Sequence, residues 1–140
     1  MKHTLFKIGM LITLLVSSLS VTAQAAQYKD IIYARPDGLA LGLDIYVPEN
    51  IDKPALIVQI HGGAWRFGSK DGGVPMEFVD HAYAVASLDF RQSTDAPFPA
   101  MIHDIKAGIR FLRANADAYG YDASKIAITG ASSGAHLALL

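Results

Sequence analysis

The 140-residue chain has no cysteine, a single tryptophan and no excess of either charge. Without cysteine it forms no disulfide, builds no thiolate metal site and carries no lipid on a leader-peptide cysteine. Twelve Lys and Arg stand against thirteen Asp and Glu, with no basic block, so nothing offers a footprint for nucleic acid or an acidic membrane surface. Five histidines are present, but none in metal-ligand spacing such as H-E-x-x-H, and no metal is expected. A long apolar run is missing too. The stretch from about Ile8 to Val16 contains Gly9 and Thr13 and falls short of the roughly 20 residues a spanning helix needs, so no stable membrane anchor is expected.

That short run has the layout of a secretory leader: Lys2 and Lys7 before it, a Ser/Thr-rich stretch after it, then Ala23-Gln24-Ala25. The expectation is a signal peptide over 1–25, cleaved after Ala25, and a secreted or periplasmic product. Residues 26–140 then form one modest domain with 10 basic and 13 acidic residues, a net charge of −3. Neither an internal repeat nor a low-complexity linker follows the leader.

Strand and helix signals alternate along this domain. Tyr28 to Tyr33 reads as a strand, and Pro36-Asp37-Gly38 as a turn. The turn leads to Leu39, Leu41, Leu43, Ile45 and Val47 on one face at period two, an antiparallel hairpin. The apolar runs Ala55 to Ile60 and Ala84 to Leu88 suit strands buried on both faces of a parallel sheet. Between Pro99 and Tyr119, Ile102, Ile105, Ile109 and Leu112 make a helical stripe, with Gly120 as the stop. Lys125 to Thr129 reads as another buried strand, and a helix begins after Gly134. The fold class is α/β, a mostly parallel sheet with flanking helices.

At the end of that last strand, "TGASSG" supports two readings. One is the glycine-rich turn that binds a dinucleotide; the other is Gly130-Ala131-Ser132-Ser133-Gly134, a G-x-S-x-G elbow presenting a nucleophilic serine. Both need strand, turn and helix. The dinucleotide motif also wants glycine where His136 stands, a place in the first strand-helix unit, and an acidic residue about 20 positions on. The elbow instead requires donors for an oxyanion on a glycine-rich loop after an earlier strand. Directly after ALIVQI comes His61-Gly62-Gly63-Ala64-Trp65. Ser132 is therefore the candidate nucleophile, with the N–H groups of Gly62, Gly63 and Ser133 as oxyanion donors.

The stretches "LDIYVPEN", "IVQIHGGAWRFGSKD" and everything from "AVASLDFRQ" to "ITGASSGAHLALL" resemble the amino-terminal half of the bacterial feruloyl-esterase-like branch of the α/β-hydrolases, close to the hormone-sensitive-lipase-like carboxylesterases. The resemblance implies an α/β-hydrolase fold that stops after the nucleophile elbow. It implies a cofactor-free serine hydrolase that cleaves small acyl or aryl esters through an acyl-enzyme. Ala64, Ser133 and Ala135 depart from the commoner Gly, Ala and Gly. The resemblance also suggests that Asp104 and Arg91 pin the loop between them; the alternative is that Arg91 is an ordinary surface charge.

In this fold the triad acid and base follow the serine, and no such pair stands between Ser132 and Leu140. His136 reads as a packing residue on the helix, His81 and His103 as ordinary partly exposed residues, and His61 as either a brace for its loop or a substrate contact. His61, Trp65 and Arg66 are the candidates for the substrate entrance, with Phe67 beside them, although Trp65 equally suits the core. Asp71 with Gly72 and Gly73 reads as a turn capping a helix, without chemistry. The expectation is a fragment or truncated gene product, close to inactive alone. The alternatives are an inactive remnant, a peptidase or formamidase of the same fold and, last, a dinucleotide-binding protein.

Overall fold

The computed structural model describes residues 25–140; the leader expected over 1–25 lies almost wholly outside them. Five strands form one mixed sheet: β1 (Ala25–Ala34), β2 (Leu41–Pro48), β3 (Ala55–Ile60), β4 (Ala84–Leu88) and β5 (Asp122–Gly130). Their order is β1-β2-β4-β3-β5. The pairs β1·β2 and β2·β4 are antiparallel, and β4·β3 and β3·β5 parallel. The helices are α1 (Glu77–Asp80), α2 (Ala100–Ala114), α3 (Ala116–Tyr119) and α4 (Ser133–Ala138).

Side-chain alternation explains the layers. On β2, Leu43, Ile45 and Val47 turn into the main core with Leu56, Val58 and Ile60 of β3 and Ala84, Ala86 and Leu88 of β4. Ile102, Ile105 and Leu112 of α2 and Leu137 of α4 cover that face. Tyr46 and Val85 turn the other way, onto Val79 of α1. The hairpin expected from Pro36-Asp37-Gly38 is present as a short 3-10 turn, and Leu39 remains outside the core because it precedes the strand.

Two expectations need correction. The helix read across Pro99 to Tyr119 breaks at Asn115, which leaves helical geometry at φ −112° and ψ 12°; its backbone N–H and side-chain amide both donate to the Phe111 carbonyl, at 3.1 and 2.8 Å, and α3 follows. The strand read as buried is longer and half-exposed: β5 lies at the edge of the described sheet, and Ile128 is 41% exposed. An apolar sequence run shows that a strand could be covered, not that neighbours lie on both sides of it.

Candidate active site

The parallel strands β3, β4 and β5 end on one side of the sheet, and the loops following them meet there. β5 finishes at Gly130, and the chain reverses through Ala131 and Ser132 into α4. Ser132 holds φ 53° and ψ −122°, a conformation that side chains avoid, and it is exposed at the tip. Both flanking glycines are sterically required. A Cβ on Gly134 would overlap the Ile60 carbonyl oxygen and lie 2.6 Å from that of His61; one on Gly130 would lie 2.5 Å from the Gly134 carbonyl carbon. Their bare α-carbons let α4 start hard against β3 and β5.

The loop after β3 passes over this turn. A Cβ on Gly62 would lie 2.8 Å from the Ala131 carbonyl oxygen and 3.6 Å from Ser132 Cβ, so Gly62 sits beside the serine. Gly63, Ala64 and Trp65 then take φ 126°, 52° and 60° in succession, and Arg66 and Phe67 donate their N–H groups to the Gly63 carbonyl at 2.9 Å. Ala64, standing where a third glycine is common, thus occupies a backbone position that glycine would adopt freely.

His61 is 3% exposed and lies under the loop. Its ring stacks on Phe90, with centroids 4.4 Å apart, and Nδ1–H donates to the Gly62 carbonyl at 2.8 Å. That bond acts on the Gly62–Gly63 peptide, whose N–H is one of the candidate oxyanion donors. Of the two roles open to His61 in the sequence, this is the geometry of a brace. Trp65 is 41% exposed rather than core, its ring set edge-to-face with that of the exposed His136, centroids 5.5 Å apart. Together with Ser93, Phe98 and Met101 these two line an apolar depression of about 380 Å³. Arg66 is exposed and leans over the Phe67 ring.

Polar clamps hold these loops. Arg91 grips Asp104 through Nε and Nη2, both at 2.8 Å, and through its backbone N–H at 3.0 Å, and it reaches Asp37 at 3.1 Å. The Asp104 carboxylate, ahead of a smaller opposing effect of burial, holds the Arg91 guanidinium above its ordinary pKa. Ser93 N–H donates to the Trp65 carbonyl and the Gln92 amide to that of Gly68, each at 2.8 Å, joining the loops after β3 and β4. Asp71 caps no helix; its carboxylate meets Lys70 Nζ at 3.2 Å.

Behind Asp71 lies a charged cluster that has no local signature in the sequence. Lys70 and Asp44 are both buried. Burial works against both charges. For Lys70 the bonds to Asp30, Asp44 and Asp71 prevail and raise its pKa; for Asp44 the Asp30 N–H, Lys29 and Lys70 prevail and lower it.

Among the described residues, no group of histidines and carboxylates could hold a metal, and no helix is long and apolar enough to cross a membrane. What is assembled is an exposed serine on a strained turn, at a strand's carboxyl end, with a glycine backbone beside it.

Among known proteins, the chain is similar to esterases. Esterase LipQ of Mycobacterium tuberculosis is 35% identical over 122 residues, 83% of this chain and 29% of its own. A bifunctional GH43-CE protein of Bacteroides eggerthii superposes with a TM-score of 0.73 at 42% identity, over 80% of this chain and 16% of that one. Thermogutta terrifontis esterase Est2, solved with propionate bound, gives 0.71 at 29% identity, over 84% and 44%. The chain spans about a quarter to a third of the length of the curated relatives it matches. Residues 43–140 match the BD-FAE family model, and the chain belongs to the BD-FAE family.

Proposed function

We propose that the full-length protein is a secreted or periplasmic serine carboxylesterase with Ser132 as its nucleophile. The observation that carries this reading is the placement of Ser132 on a strained elbow within a side chain's reach of Gly62. Ser132 Oγ attacks the ester carbonyl carbon and gives up its proton to a base. The tetrahedral oxyanion receives hydrogen bonds from the N–H groups of Gly62, Gly63 and Ser133, and the alcohol leaves with the proton. Water then attacks the acyl-serine, releasing the acid and restoring the hydroxyl. No carboxylate–histidine pair faces Ser132 among the described residues, so the proton relay is assigned to sequence beyond Leu140. Without a base, about 10³ to 10⁴ over water would remain, from the oxyanion donors and binding alone.

The substrate class proposed is small acyl or aryl esters. The apolar depression of Trp65, Phe98, Met101 and His136 suits a compact apolar group. The propionate in the Thermogutta terrifontis relative fits a short acyl chain.

Labelling of the full-length protein with a fluorophosphonate tests the assignment. Modification should fall on Ser132, vanish in Ser132→Ala, and be matched by a loss of ester hydrolysis of at least about 10³-fold. A well-folded protein that is not labelled, or hydrolysis that survives Ser132→Ala, overturns it; the former outcome leaves a non-catalytic relative of the esterases. The mass of the exported protein tests the leader: about 2.7 kDa should be missing from the amino terminus, from the removal of about 25 residues.

A further inference from the structure

The loop carrying Gly62 and Gly63 leaves β3 at Ile60 and returns at Lys70, and its return end is fixed unusually. Lys70 is 8% exposed. Its backbone N–H donates to Asp89 Oδ1 at 2.8 Å, and its carbonyl accepts the buried Ser87 hydroxyl at 2.6 Å. Its ammonium lies 3.0 Å from Asp44, 2.8 Å from Asp30 and 3.2 Å from Asp71. Asp44, fully buried, also accepts the Asp30 N–H at 2.8 Å and Lys29 Nζ at 2.9 Å. Asp44 and Ser87 are register partners on β2 and β4, so one pair of strands grips both the side chain and the main chain of Lys70. Gly42 leaves space for the stem: a Cβ there would sit 3.4 Å from Lys70 Cε.

A buried ion pair is a poor device for stability, because desolvation offsets its attraction; what it supplies is geometry. Between the two anchored ends, Gly63, Ala64, Trp65 and Gly68 all hold positive φ, which leaves little slack to absorb a shift. A displacement of Lys70 is therefore passed along to the Gly62–Gly63 peptide.

We infer that Lys70, held by Asp44, is a positioning residue that sets the oxyanion loop over Ser132, governing the rate of acyl transfer rather than substrate affinity. This inference rests on the esterase reading of Ser132 and its backbone donors.

The test uses full-length Lys70→Met, with Lys70→Met/Asp44→Leu as a second variant that replaces the charge pair by apolar groups and so avoids a lone buried carboxylate. Active sites are titrated with a fluorophosphonate, so that misfolded protein is not counted. Per titrated site, both variants should lose at least about tenfold in kcat with KM within about twofold, as expected for an interaction made in the transition state. Their preference for an oxygen ester over its thionoester should also shrink, because that preference is a property of the donors facing the carbonyl atom. A merely structural role would lower the number of titratable sites and leave kcat per site and the preference unchanged; that result in either variant overturns the inference. A wild-type protein not labelled at Ser132 overturns the esterase reading and the inference together, whereas a labelled wild type with unaffected variants overturns the inference alone.

Discussion

The two loops that meet at Ser132 share one means of support and differ in a second. The elbow of residues 130–134 keeps its shape through missing side chains: the Gly130 and Gly134 backbones touch neighbouring main-chain atoms that any Cβ would strike. The loop of residues 61–70 has such contacts too, at Gly62, Gly63 and Gly68, and adds polar side chains reaching in from elsewhere, namely Asp44, Ser87, Asp89 and Gln92. Contact through bare backbone is rigid and insensitive to solution conditions. A clamp of charges is directional, and it titrates.

The largest change should come from breaking the clamp on one side. Asp44→Ala leaves the Lys70 ammonium buried without its innermost partner and should destabilise the fold by about 3–5 kcal/mol, read from the urea midpoint. Gly134→Ala attacks the elbow instead. The inserted Cβ must push α4 away from Ile60 and His61, at a cost of about 1–3 kcal/mol, and Ser132 should lose fluorophosphonate reactivity even where the protein stays folded.

Acidity separates the two loops further. The Asp44 carboxyl is held below its ordinary pKa, so its contribution is present above about pH 4 and lost as pH falls through the lowered value. Lys70 is held above its ordinary pKa, so its contribution is complete below about pH 10.5 and lost as pH rises through the raised value. Stability should therefore show no slope from this pair between about pH 5 and 9. Outside that window, hydrogen exchange should rise first across residues 61–70, while the elbow remains protected. The smallest effect is reserved for an exposed ion pair: Lys53→Ala, which removes the contact to Asp117, should leave the unfolding midpoint unchanged within error.

The same contrast decides what could be read in advance. The elbow's constraint is local, so five consecutive residues display it, and β3 and β4 appear as apolar runs with their observed limits, Ala55–Ile60 and Ala84–Leu88. The clamp joins Asp44 to Lys70 across 26 positions, and in sequence each looks like an ordinary charge on a strand or a turn. Only folding brings them under one pair of strands. Arg91 and Asp104 were visible because the resemblance pointed to them, not because their spacing demanded a pairing. The exposure of β5 and the break at Asn115 stayed hidden for a related reason: each depends on neighbours or on a side-chain amide that periodicity does not record.

Ser132 sits at a backbone angle that every residue except glycine resists, at a cost of about 1–3 kcal/mol. Selection for folding alone would favour glycine at that position. On the proposed esterase reading its serine is a standing load on the molecule, carried for its hydroxyl, and descendants released from chemistry should be the ones in which it drifts away first.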